Sequence, residues 1–276
     1  MKTTVVPYET AAWCVRIDCV GGNVYRLTSY PFDLVMSNSQ IYKTDSGYQQ
    51  SAYQATNSLA ASVIDIEGVA GVLGISRDMI ASGLFDGARV YIFKCNWLAP
   101  VEDAEPLSAG WFGKVRLSDE RYTVECMQLV EALNESQAVT VTPGCRHTFG
   151  SPDCGKNLAP LTVTGTLTSV TSAAVFSDST RSESAGYFSA GTIRFTSGPN
   201  AGLELIEVKT HSAGGVIETH EPFYFLPSVG DAYTLTPGCA KTRPACKTWS
   251  NILNFGGFPE VPLSSTYTQV GGRYES

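Results

Sequence analysis

The sequence has little clustered positive charge and no long hydrophobic run. Its 19 Lys and Arg residues are outnumbered by 26 Asp and Glu residues, and the formal net charge is -7. Phosphate binding needs clustered basic residues, whereas those of this chain are scattered singly, so we expect no specific nucleic-acid binding. No stretch approaches the ~18 consecutive apolar residues of a membrane-spanning helix, so we expect no membrane span.

Residues 1–13 also lack the apolar core of a secretory signal. We therefore expect the chain to fold in a reducing cytoplasm. Its eight cysteines are then better explained as free thiols or metal ligands than as disulfides.

Catalytic motifs are equally scarce. The chain has three histidines, and we find no phosphate loop, dinucleotide fingerprint, G-x-S-x-G or paired-histidine zinc motif. Cys145 and His147 could serve a cell-wall hydrolase, but a catalytic cysteine usually sits at a helix N-terminus with its histidine far away in sequence. Cys145 instead follows a Pro-Gly turn. We expect no enzyme, and we keep the Cys145/His147 hydrolase and a receptor-binding module as alternatives.

Short runs of alternating apolar and polar residues between glycine turns predict a mainly β fold. We expect a β-sandwich or barrel-like domain over 1–140 and a smaller cysteine-containing β module over 141–276. The second domain should contain an inserted antiparallel β unit at about 161–236. Ser76 should cap a helix that runs to Phe85, and a short second helix is predicted at Leu129–Leu133.

A repeated Thr-Pro-Gly-Cys sequence is the most informative feature. It ends at Cys145 and again at Cys239, and each copy ends a strand-like run. Each is followed closely by another cysteine, Cys154 and Cys246. Two Pro-Gly corners that face each other would present four thiolates, which suits zinc or an iron–sulfur cluster. Because neither pair has the C-x-x-C spacing of zinc ribbons, a four-iron cluster with its separated corners is favoured over zinc. A disulfide or inert buried thiols stay open as alternatives.

The other four cysteines have strand-like surroundings. Cys14 and Cys19 are five residues apart on one predicted strand, so they cannot share a metal or a disulfide there. We expect these two, with Cys95 and Cys126, to be inert core residues.

Seven stretches of the sequence resemble a family of phage tail hub proteins from lambda-like siphophages and gene transfer agents. The most specific is the segment Asn-Phe-Gly-Gly-Phe-Pro after the last cysteine. The stretches are Gly83–Val90, Ala109–Val115, Glu125–Leu133, Cys145–Gly155, Ser197–Gly202, Gly230–Tyr233 and Asn251–Pro259.

This resemblance implies a structural hub domain at the tail tip of a virion, assembled in the host cytoplasm. It implies a homotrimer between the distal tail protein ring and the central tail fibre protein, with the end of the tape measure protein as a further partner. Such a hub would help to close the tail channel. By position, the resemblance also implies that Cys145, Cys154, Cys239 and Cys246 hold a [4Fe-4S] cluster as in the lambda tail-tip module, with zinc as the alternative.

Overall fold

The computed structural model describes residues 10–44, 49–50, 64–69, 75–118, 121–128, 139 and 141–261. It divides the chain into two compact units, one of residues 1–136 with 201–204 and one of 137–200 with 205–276. The predicted boundary at 140/141 falls beside residues outside the described ranges and stays a prediction. The helix predicted at Leu129–Leu133 lies outside the described residues.

The first unit is built on a seven-stranded antiparallel sheet, as the alternating sequence pattern predicts. Its spatial order is β2-β1-β7-β8-β9-β6-β5, and a separate two-stranded hairpin is formed by β3 and β4. The strands are β1 (Ala11–Asp18), β2 (Val24–Thr28), β3 (Leu34–Val35), β4 (Ile41–Tyr42), β5 (Gln49–Gln50), β6 (Ile64–Val69), β7 (Arg89–Asn96), β8 (Glu105–Ser118) and β9 (Arg121–Gln128).

Part of the first unit's core lies where the β3–β4 hairpin packs against β1 and β7. Tyr42 stands edge-on to Phe93, with ring centroids 5.5 Å apart. All four cysteines of this unit are buried, as predicted for core residues. The sequence did not indicate that the Cys14 and Cys95 sulfurs lie 3.7 Å apart.

The predicted helix is present but shorter than expected. It is α1 (Arg77–Ala81), and the Ser76 hydroxyl caps it by accepting a hydrogen bond from the Met79 N–H at 3.2 Å. The predicted end at Phe85 is wrong. Turns replace the helix because Gly83 adopts a left-handed φ of 75°, which stops the helical hydrogen-bond pattern.

The second unit contains another seven-stranded antiparallel sheet. Its spatial order is β10-β16-β13-β14-β15-β12-β11. The two edge strands, β10 and β11, are joined only by Leu167 and Thr168, so the sheet curls back on itself like a partial barrel. The strands are β10 (Val163–Thr166), β11 (Ser169–Val170), β12 (Val175–Ser177), β13 (Thr192–Phe195), β14 (Ile206–Ser212), β15 (Val216–Thr219) and β16 (Ala232–Thr236).

Aromatic side chains fill the core of the second unit, and this core also contains one buried polar pair. The Tyr233 hydroxyl donates to the Asp178 carboxylate at 2.6 Å, and both residues have no exposed surface. Burial alone would raise the pKa of Asp178, but hydrogen bonds from Thr180 and Tyr233 hold it below its usual range. The buried carboxylate therefore ties β16 to the turn that follows β12.

A second helix, α2 (Arg243–Thr248), follows β16 and was not predicted. Short 3₁₀ turns are formed by Ala159–Leu161 and Ile252–Asn254. Within the described ranges, no helix has the length and apolar character to cross a membrane.

Candidate metal centre

The four cysteines singled out by the sequence line a single pocket within the second unit. Cys145, Cys154, Cys239 and Cys246 share it with six other residues, which are His147, Phe149, Lys241, Trp249, Asn251 and Asn254. Cys154 and Cys246 are each 7% exposed, and the other two are half-buried. The fold thus brings together two cysteine pairs that lie far apart in the sequence.

The two Pro-Gly-Cys corners meet through their backbones. The Cys145 N–H donates to the Lys241 carbonyl at 2.7 Å. The second corner directly follows β16, as predicted. At the first corner, Val141 and Thr142 are not part of a strand, so the prediction is wrong for these two residues. Most of the preceding run lies outside the described residues.

Gly238 allows the second corner to pack against another backbone segment. A Cβ at this position would lie 1.9 Å from the Ala190 carbonyl oxygen and 2.3 Å from the Gly191 nitrogen. At Gly144, the equivalent glycine of the first corner, a Cβ would meet only the Lys241 carbonyl oxygen, at 3.7 Å. The repeat is therefore symmetric in sequence but not in its packing.

The other two cysteines are placed by local capping. Cys246 lies on α2, whose N-cap Thr242 accepts a hydrogen bond from the Ala245 N–H at 3.3 Å. Cys154 lies on a turn in which its own N–H donates to the Ser151 hydroxyl at 3.3 Å. The Thr-Arg-Pro sequence at 242–244 is an N-cap followed by an early proline, a signal that could have predicted α2.

The segment after α2 packs against the first corner. The Phe258 N–H donates to the Thr142 carbonyl at 2.8 Å. A Cβ at Gly257 would lie 2.7 Å from the Pro143 carbonyl oxygen, so only glycine permits this approach. From the same segment, the Gly256 N–H donates to the Cys145 sulfur at 3.4 Å, and the Asn251 side-chain amide donates to the Cys154 sulfur at 3.4 Å.

The electrostatics of the pocket reflect crowded sulfurs and nearby cations. Burial raises the pKa of the Cys246 thiol, and the neighbouring Cys239, Cys145 and Cys154 raise it further. The Lys241 ammonium donates to the His147 carbonyl, and it lines the pocket. A cation at this position would offset part of the charge of four thiolates.

The four cysteines of the predicted metal site are not arranged as a preformed site for a single metal ion. No three His, Cys, Asp or Glu residues within the described ranges are arranged to hold one metal ion. Four cysteines, N–H donors to two of their sulfurs and an apolar lining fit the chemistry of an iron–sulfur cluster.

Cys145 and His147 each have a hydrogen-bond partner in the segment after α2. The Cys145 sulfur accepts from Gly256, and the His147 Nδ1 atom lies 3.2 Å from the Asn254 carbonyl oxygen. Among the hydrogen bonds of the described residues, none joins the Cys145 sulfur to the His147 ring, so the thiol–imidazole contact of a cysteine hydrolase is not formed in this structure.

Comparisons with known proteins point to phage structural proteins. Residues 8–157 match a family model described as baseplate hub protein, N-terminal attachment domain. Residues 186–264 match one described as a phage conserved hypothetical protein. No curated protein matches the sequence.

A solved structure described as the virion of a native gene transfer agent particle contains a chain of similar fold. The TM-score is 0.81 at 23% sequence identity, and the match covers 97% of this chain and 92% of that chain. At this identity the similarity shows that the fold is shared over nearly the whole length.

Proposed function

Because the chain belongs to the baseplate hub protein family, we propose that it forms the hub of a phage tail tip, with a C-terminal module stapled by an iron–sulfur cluster. Family membership confirms the predicted resemblance and makes the protein a structural component of the phage tail rather than an enzyme. The link to particular neighbours, the oligomeric state and the cluster are parts of the proposal.

The proposed assembly is a homotrimer between the distal tail protein ring and the central tail fibre protein. It would be built in the host cytoplasm, contact the end of the tape measure protein and help to close the tail channel until infection. The shared fold with a chain of a gene transfer agent particle supports a role in such an assembly.

The observation that carries the cluster proposal is the convergence of four cysteines from two distant corners on one pocket. The Cys145 and Cys154 corner precedes the curled sheet, and the Cys239 and Cys246 corner follows it. A cluster ligated by all four cysteines would link the segment that precedes the sheet to the segment that follows it. Metal-binding free energy then becomes folding free energy for this unit, because the ligands are far apart in the unfolded chain.

The choice of iron–sulfur over zinc rests on the donors around the sulfurs. Cysteinyl sulfurs that accept N–H hydrogen bonds in an apolar pocket are typical of iron–sulfur sites. Zinc stays the alternative occupant of the same four cysteines, Cys145, Cys154, Cys239 and Cys246.

The test compares Cys239→Ser with Cys14→Ser in the full chain, purified without oxygen. Cys14 is fully buried but lies outside the pocket, so it controls for the loss of a buried thiol. Limited proteolysis should cut residues 141–261 of Cys239→Ser while the first unit stays protected. Tail-tip assembly with the neighbouring tail proteins should fail for that variant alone. Unchanged proteolysis together with normal assembly would refute the stapling role.

A further inference from the structure

Asn251 contacts two of the four pocket cysteines, and no sequence motif marked it as part of the site. We propose that Asn251 is a positioning residue, which fixes the positions of the Cys154 and Cys246 ligands relative to each other. Its side-chain N–H donor also raises the reduction potential of the cluster. This inference rests on the proposed four-cysteine cluster and names the residue that tunes it.

The side chain of Asn251 is oriented by its neighbours. Its Nδ2 atom donates to the Cys154 carbonyl at 2.7 Å and lies 3.4 Å from the Cys154 sulfur. Its Oδ1 atom accepts from the Asn254 side-chain amide at 2.9 Å. Since Oδ1 has its own donor, the amide nitrogen is the atom that faces Cys154.

The backbone of Asn251 is bound to the other ligand segment. Its N–H donates to the Cys246 carbonyl at 3.0 Å. Its carbonyl also accepts from the Cys246 thiol at 3.1 Å, a bond that ends when Cys246 loses its proton as a ligand, so the backbone bond is the one that acts beside the cluster. One residue therefore joins the turn that carries Cys154 to the helix that carries Cys246.

An N–H group that points at a cysteinyl sulfur stabilises negative charge there. A reduced cluster carries one more electron than an oxidised one, so the hydrogen bond favours the reduced form and raises the potential. The Gly256 N–H supplies a second donor of this kind to Cys145. Since that donor belongs to the backbone, it should remain when the Asn251 side chain is changed.

The experiment measures the midpoint reduction potential and the iron and sulfide content of the full chain, purified without oxygen. Asn251→Leu keeps a similar side-chain volume but has no donor, and Asn251→Gln restores a side-chain amide. Asn157→Ala is the matched control, because Asn157 is exposed, lies outside the pocket and accepts from the Ala159 N–H. Should Asn251→Leu not retain iron, Asn251→Ala, which has no side-chain donor and adds no charge, takes its place with the same expectation.

We expect Asn251→Leu to shift the potential to a more negative value, Asn251→Gln to restore part of the shift and Asn157→Ala to match the unmodified protein. Equal potentials in all iron-loaded variants would overturn the role of Asn251 and leave the cluster in place. Absence of iron from the unmodified protein would overturn the proposed cluster, and this inference with it.

Discussion

Replacing Gly238 with alanine should disrupt the second Pro-Gly-Cys corner, whereas the same change at Gly144 should not. The new Cβ at Gly238 would lie 1.9 Å from the Ala190 carbonyl oxygen and 2.0 Å from its carbonyl carbon. Both contacts are with backbone, so no side chain can rotate away, and two chain segments must separate. Cys239 follows directly and would move with them.

The expected loss of unfolding free energy follows from the cost of overpacking, which is about 1–3 kcal/mol. A clash with backbone on this scale belongs at the upper end, so we expect Gly238→Ala to lose about 3 kcal/mol of unfolding free energy. Gly144→Ala meets one atom at ordinary contact distance, 3.7 Å. The effect of Gly144→Ala should be within about 0.5 kcal/mol, since the new methyl group clashes with nothing.

The assay is urea unfolding of the full chain, with hydrogen exchange of peptides from residues 187–195 and 232–240 to localise the loss. With a slope of about 1–3 kcal/mol per molar urea, the Gly238→Ala midpoint should fall by about 1 M or more. The same variant should bind less iron than Gly144→Ala. Equal midpoints and equal exchange for the two variants would refute the asymmetry of the corners.

Three further substitutions test the packing within each of the two units. Tyr233→Phe should cost about 1–3 kcal/mol of unfolding free energy in urea, because it removes the donor to Oδ2 of the buried Asp178 carboxylate, while Thr180 still donates to Oδ1; no change would contradict that contact. Glu102→Ala should lower the thermal midpoint by loosening the β3–β4 hairpin, since Glu102 accepts from the Tyr42 hydroxyl at 2.6 Å, and an unchanged midpoint would argue against it. Burial lowers the pKa of His211, so the unfolded chain binds the proton first and stability should fall as the pH drops below about 6.5. His211→Leu should flatten that part of the thermal midpoint profile between pH 5 and 8, and an identical profile would be the contrary result.

Local signals predicted the parts of the fold that depend on neighbouring residues in sequence. Ser76 caps α1 because a hydroxyl at that position can reach the free N–H groups of the first turn. The alternating pattern of β1 predicted the strand, but the neighbouring residues Cys14 and Val15 are both buried, so both faces of β1 are covered there. The end of α1 was misjudged because Leu84 and Phe85 continue an apolar pattern that the left-handed Gly83 interrupts.

The features that the sequence did not predict depend on register and distant packing. Cys14 pairs in register with Phe93 and Cys95 with Ala12, so the two sulfurs meet diagonally across β1 and β7. That register is set by pairing with the rest of the sheet. In the same way, Val141 and Thr142 have a strand-like pattern but no partner strand, which explains the missing ladder at the first corner.

At the candidate site, the sequence predicted which cysteines would gather but not what surrounds them. The Thr-Pro-Gly-Cys repeat identified Cys145 and Cys239, and both line the pocket. Asn251 and Gly256 lie in the family-like stretch Asn251–Pro259, which does not by itself predict a contact with sulfur. Their role as donors to sulfur depends on a segment folding back across the first corner, a contact between residues 111 positions apart.

The most direct test of the proposed cluster is elemental analysis of the full chain, purified without oxygen, with an absorption spectrum from the same sample. The account predicts a brown protein with iron and sulfide in equal amounts and little zinc. Cys239→Ser should lose both. Zinc without iron would contradict the cluster and assign the four cysteines to a different metal, and a protein without either metal would contradict the metal centre itself.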